Sequence, residues 1–292
     1  MTTLFQDIRY GFRGLWRNPG FAIIAVLSLA LGIGANTAIF SLINAVLLRP
    51  LPYHEPERLV MVWEDASFAG FPQNTPAPAN YADWKGQNQT FEDLAALVQR
   101  SYNLTGDGEP ERVDAYATTA NFFPMLGVKL ALGRAFLPEE DKPDANRVVM
   151  ISYRLWRQRY GGDRDIIGRD LLLNGEKYSV VGVAPAGFQF LESEIGLWVP
   201  VRFTQQELAI RGSHYLWVVG RMKPGVTLEQ ANADIKTVMS RIARDHQGNA
   251  GRIGAYVMSM RDQLAGDSRR PLIVLLVAVG FVLLIACANI AN

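Results

Sequence analysis

FAIIAVLSLALGIGANTAIFSLINAVLL, Phe21–Leu48, contains no charged residue, and neither does PLIVLLVAVGFVLLIACANIAN, Pro271–Asn292. Each is long enough, at about 1.5 Å of rise per helical residue, to cross a hydrocarbon layer of roughly 30 Å. The averages of 49% hydrophobic and 20% charged residues look like those of a soluble protein, because all the charge sits outside these two segments. The pattern predicts transmembrane helices over 21–48 and 271–292 that hold a large domain, 49–270, on one side of a membrane. A cleavable signal peptide does not fit. The first apolar run exceeds the roughly 7–15 residues of a signal core, starts late, and continues into Leu47-Leu48-Arg49-Pro50 without a small-residue cleavage site.

Ahead of the first segment, residues 1–20 place Leu4, Phe5, Ile8, Phe12, Leu15 and Trp16 at helical spacing, with Arg9, Arg13 and Arg17 four apart on another face. An arginine-rich amphipathic helix carrying Trp beside a span is expected to lie in the membrane interface, and Arg9, Arg13, Trp16 and Arg17 are its candidate anchoring residues. These arginines set the N-terminus inside by the positive-inside rule, which puts the large domain outside the cytoplasm. Arg269 and Arg270 argue the other way but flank a long translocated domain, where that rule is weak. Within the first span, Ser28, Gly32 and Asn36 repeat every four residues and form a small, polar stripe. Such a stripe is expected to pack against another helix, of the same chain or of a second subunit, since an unpaired Asn in lipid is costly.

The region between the spans alternates strand and helix signals. Leu59–Trp63, Arg147–Ile151, Asp170–Leu173, Tyr178–Val183 and Leu216–Arg221 are rich in strand-forming residues, and Asn174-Gly175 predicts a type I′ hairpin. Thr227 and Gln230 form a capping box opening a helix whose buried face is Ala231, Ile235, Val238, Met239 and Ile242. Tyr153–Tyr160 predicts a short helix closed by Gly161-Gly162. The stretch 68–80, with Pro72, Pro76 and Pro78, reads as a loop. Together these give an α+β domain of mixed strands and helices in two lobes, divided near 68–80 and 192–211.

Chemistry-bearing motifs are missing from the sequence. There is no GxxxxGK[ST] for ATP, no GxSxG, and the histidines His54, His214 and His246 lack metal-ligand spacing, so no cofactor is expected and the chain does not read as an enzyme. The single cysteine, Cys287, lies in the second span, leaving the domain without a disulfide. Glu139, Glu140 and Asp141 read as a solvated loop or helix start. The tryptophans are spread singly, as core packing requires, and a net charge of +1 gives no reason to expect nucleic acid.

QDIRYGFRGLWRNPGF (6–21), ANTAIFSLINAVLLRPLPY (35–53), NFFPMLGVKLALGRAF (121–136), VVMISYRLWRQRYGGD (148–163) and VVGRMKPGVTLEQA (218–231) resemble permeases of the MacB/FtsX-like ABC superfamily. The nearest resemblance is to the branch of acidobacterial-type duplicated orphan permeases, and the middle region resembles the MacB-type periplasmic core domain. The resemblance implies a multi-pass inner-membrane permease, a homo- or heterodimer, whose ATPase is a separate subunit and which transmits ATP-driven motion to a domain outside the membrane. Pro271–Asn292 resembles the start of the FtsX-like membrane domain, so the chain reads as a truncated piece of such a permease. The alternative from another class is a membrane-anchored extracytoplasmic binding or sensing module without ATPase coupling. Both share one topology. Protease added outside spheroplasts should digest residues 49–270 while both tails stay shielded, and immunoblotting for tags at each end checks it; a protected domain refutes the orientation.

Overall fold

The computed structural model describes residues 19–44, 51–191, 195–246, 250–266 and 269–291. The chain divides into two units: the apolar helices α1 (Pro19–Ile43) and, at the far end, Arg269–Ala291 form one, and Leu51–Gln263 forms the other. Residues 1–18, which hold Arg9, Arg13, Trp16 and Arg17, lie outside the described residues.

In the second unit, β1 (Leu59–Ala66), β2 (Phe71–Asn74), α2 (Pro78–Gln87), β3 (Phe91–Thr105), β4 (Glu111–Thr118), α3 (Phe122–Leu126), β5 (Leu132–Gly133) and β6 (Val148–Ile151) follow one another. Then come α4 (Tyr153–Arg159), β7 (Asp170–Leu173), β8 (Glu176–Val183), β9 (Leu197–Pro200), β10 (Trp217–Met222), α5 (Leu228–Asp245), β11 (Gly254–Ser259) and α6 (Met260–Ala265). The terminal apolar helix is α7. The strands join in one sheet ordered β11-β1-β10-β3-β4-β9-β6-β8-β5, with β2 on β1 and β7 joined to β3 and β8. Among the described residues, only β4 with β9 and β6 with β8 pair in parallel.

Strand residues alternate between the two faces of the sheet, and both faces are covered. Val60 and Val62 of β1 join a core with Trp84, Ile235, Val238 and Tyr178, under α2, α4 and α5. Leu59, Met61 and Trp63 join a second core with Phe122, Phe123, Phe190 and Trp198, beside α3. Burial on both faces explains why Leu59–Trp63 of β1, β6 and β9 are unbroken apolar runs rather than alternating ones.

Several expected elements stand where the residues place them. The hairpin between β7 and β8 turns at Asn174 (φ 53°) and Gly175 (φ 82°), the two positive values a type I′ turn needs. Thr227 accepts from the Gln230 amide at 3.3 Å while Gln230 accepts from Thr227 at 2.9 Å, and all five expected residues of α5 are buried. Ser152 caps α4 by accepting from the Leu155 amide at 3.1 Å.

Two features differ from expectation. Residues 68–80 are not a lobe-dividing loop: they form β2 on β1 and the start of α2, where Pro78 sits in the first turn and lacks only an amide that would be unpaired anyway. The halves of the domain also share a strand. β3 pairs with β10 over Phe91–Leu97, with β4 over Leu97–Leu104 and with β7 at Leu104 and Thr105, so the sheet runs continuously through both.

At the sheet's end, the side chain of Asn232 on α5 imitates a strand partner for β11. Its amide donates to Val257 O at 3.0 Å and accepts from Val257 N at 2.8 Å. Asn232→Ala should therefore cost about 1–3 kcal/mol by leaving two backbone groups unpaired. A lowered denaturant midpoint together with faster hydrogen exchange at Val257 is expected; unchanged Val257 protection would refute the capping role.

Candidate functional site

In the helical unit, α1 and α7 pack along a seam. The better-covered positions are Leu29, Gly32, Asn36, Ile39 and Ile43 on α1, and Leu272, Leu276, Val279, Leu283 and Ala286 on α7. Their alternating spacing of three and four is that of paired helices. A Cβ added to Gly32 would lie 3.0 Å from Leu283 Cδ1, and the Asn36 side-chain amide donates both to Gly32 O in its own helix (2.9 Å) and to Val279 O across the seam (3.2 Å). Numbers rise from Gly32 to Asn36 as they fall from Leu283 to Val279, so the helices run antiparallel. Ser28 is half-buried beside this seam. Thr37 and Ser41 donate to the carbonyls four residues back, which satisfies hydroxyls that would otherwise face an apolar medium. The outward faces carry Ile24, Leu31, Val274 and Leu284, each more than half exposed. Both helices are long and apolar enough to cross a membrane.

In the second unit, residues 51–58 lead into β1 and are fixed at several points. His54 N donates to Leu126 O at 3.1 Å, and Gly127 (φ 68°) has no room for a Cβ, which would fall 2.5 Å from His54 Cβ. Buried Arg221 of β10 donates to Met125 O and to His54 O, both at 2.7 Å. Burial, with Arg58 beside it, pulls its guanidinium below the usual value. Arg58 donates to Met222 O at 2.8 Å and pairs with Glu55 and Glu92. Glu55 takes a left-handed backbone (φ 43°), an unusual conformation for a side chain of this type. Around this junction lies a cavity of about 400 Å³, lined by His54, Arg58, Glu92, Asp93 and Arg221 among others. Its charges are largely spent on one another, as in Lys85–Asp93 at 3.1 Å.

The strands that adjoin the helices in sequence are hydrogen-bonded neighbours. β1 begins where β11 ends, with Val60 opposite Ser259. The two covalent routes out of the domain thus start side by side at one end of the sheet.

Other polar clusters hold the fold together. Glu64 is fully buried, accepting from Ala77 N (2.8 Å) and Asn80 Nδ2 (2.6 Å), with His214 Nδ1 2.7 Å from its second oxygen. Burial pushes this carboxyl up, against those hydrogen bonds and the neighbouring His214. Arg211 continues the network to Asn80 and Asp83, both at 2.6 Å. No sequence spacing announces this cluster, since it joins β1, α2 and the segment before β10. Of the acidic run, Glu140 is buried rather than solvated: it takes a two-pronged pair from Arg134 at 2.7 and 3.0 Å and caps the turn at Leu137 N. Asp141 accepts from Ala120 N at 2.8 Å. Among the described residues, no group of three or more His, Cys, Asp or Glu could hold a metal ion.

Comparison with known proteins gives a consistent likeness. The profile of the MacB-like periplasmic core domain matches residues 22–238. A domain of a putative permease protein from Porphyromonas gingivalis is 15% identical, with a TM-score of 0.54 over 71% of this chain and 93% of that one. The periplasmic region of MacB from Actinobacillus actinomycetemcomitans is 14% identical, with a TM-score of 0.52 over 71% and 90%. The extracellular domain of the noncanonic ABC-type transporter YknZ from Gram-positive bacteria is 13% identical, with a TM-score of 0.51 over 68% and 99%. At these identities the solved structures share the fold. No curated protein matches the chain.

Two outcomes follow from this geometry. Gly32→Leu and Asn36→Leu should weaken the α1–α7 pairing, the first by collision with Leu283 and the second by losing the bond to Val279 O; cysteine crosslinking between the two helices should fall in both, and unchanged crosslinking would refute the seam. Burial raises the Asp141 carboxyl from 3.8 to about 6, against the pull of Ala120 N, Lys85 and Arg202. The folded state therefore holds this proton more tightly than the unfolded chain, so the contribution is full below the unfolded value of 3.8 and lost as pH rises through about 6. Asp141→Asn keeps an acceptor for Ala120 N and cannot ionise, so its stability relative to wild type should rise across that window in denaturation curves; parallel curves would contradict the shift.

Proposed function

Because this chain belongs to the family of MacB-like periplasmic core domains, found in ABC-transporter permeases, we propose that it is a permease subunit that carries the motion of a separate cytoplasmic ATPase into a domain outside the membrane. The observation that supports this reading best is the pairing of β1 with β11. The strand that follows the first apolar helix and the strand that precedes the second are adjacent, in register from Val60–Ser259 to Asp65–Gly254. A relative displacement of the two helices would then act on one pair of strands, and the sheet would pass it on. A tether needs only one helix; two that return to the same strand pair suit transmission.

On this reading α1 and α7 are spans of the inner membrane, the second unit is extracytoplasmic, and the working assembly is a dimer of permeases with an ATPase on a separate chain; residues 1–292 themselves carry no P-loop. The motifs at 6–21 and 35–53 favour the duplicated orphan branch of the family. Residues 1–20, which carry the expected interfacial anchors Arg9, Arg13, Trp16 and Arg17, we assign to positioning the chain beside the ATPase. Affinity purification of the tagged chain from its own membranes should bring down an ATP-binding subunit, and deleting residues 1–20 should lose it. Failure of the intact chain to retain such a subunit would favour the anchored binding module instead.

A further inference from the structure

The segment 51–58 does more than feed β1. Tyr53 reaches away from that strand, and its hydroxyl donates to Gln189 O at 2.5 Å. Its ring meets Phe188 edge-on at 6.5 Å and lies 6.1 Å from Phe190. Gln189 belongs to the loop that follows β8, a strand six places along the sheet from β1. That loop is itself keyed into the second core: Phe190 packs edge-on against Phe122 at 4.9 Å, and Phe188 lies 5.6 Å from buried Trp198. Leu191 in the same loop has a left-handed backbone (φ 60°), a conformation a branched residue keeps only when its surroundings hold it.

We infer that Tyr53 is a coupling latch: it delivers displacement of the chain at Leu51 directly to the loop 184–191, in parallel with the route through β1 and the sheet. The inference rests on the transmission reading proposed above. Mechanically, the lead-in is held on one side by α3, through His54 N to Leu126 O and through Arg221 to Met125 O and His54 O, and on the other by Tyr53. The sharp backbone turn at Glu55 lies between these holds and β1. Movement applied ahead of Tyr53 is therefore felt by the 184–191 loop before it must pass that turn. Burial pushes the Tyr53 phenol up, so the hydroxyl stays protonated and able to donate.

The test uses the full chain in vesicles from its own membranes, with Cys287→Ala removing the only native thiol. Two exposed reporters are made separately: Gln189→Cys, whose backbone carbonyl still accepts from Tyr53, and Glu57→Cys on the β1 side. Each is labelled with a maleimide in the presence and absence of Mg-ATP with vanadate. Labelling rates at both reporters should change with nucleotide. Tyr53→Phe, which keeps the ring packing, should shrink the change at Gln189→Cys by about fivefold, the scale of one lost hydrogen bond, and leave the Glu57→Cys response intact. An undiminished Gln189→Cys response in Tyr53→Phe overturns the latch while leaving transmission standing. No nucleotide response at either reporter overturns the transmission reading itself. Arg221→Lys, which loosens the opposite hold, should damp both reporters; an effect confined to Gln189→Cys would also count against the arrangement.

Discussion

The register of β1 against β11 is the constraint on which the rest of the architecture hangs. Val60 faces Ser259 and Asp65 faces Gly254, so the first strand of the domain lies against the last. Closing the chain on itself in this way brings its two exits together and leaves everything from β2 to α5 as an excursion between neighbouring strands. Within that excursion, β3 is long enough to border β10, β4 and β7 in turn, which lets one sheet carry two cores on opposite faces.

Buried polar groups mark where segments distant in sequence are pinned. Arg221 secures the lead-in to α3 through backbone carbonyls, Glu64 secures β1 to α2 and to the segment bearing His214, and Glu140 secures a turn to Arg134. Each buried charge is compensated by hydrogen bonds, as burial away from water demands. Removing one partner would leave the other stranded, which is more damaging than the modest net worth of the pair. These are fastening points between segments far apart in the sequence.

Legibility in the sequence follows from how local each signal is. The apolar helices, the Asn174-Gly175 turn, the Thr227 capping box and the buried face of α5 depend on spacing within a few residues, and the structure has them all. The four-residue spacing of Ser28, Gly32 and Asn36 is legible in the sequence, whereas Leu283 and Val279, which lie against Gly32 and Asn36, carry no such signal. β3 shows the limit: FEDLAALVQRSYNLT mixes acidic, Ala and Gln residues that suit a helix, and only pairing on both sides makes it a strand. The Glu64 network and the Tyr53–Gln189 bond join positions far apart in the chain, so no motif could reveal them.

The side chain of Asn232, bonded to both backbone groups of Val257, has a consequence for how copies of this protein can associate. An open strand margin invites a neighbour to add its own strand, and such zippering would freeze two domains together. With both outward backbone groups of Val257 occupied from within, that stretch of the margin is closed to a strand added from outside.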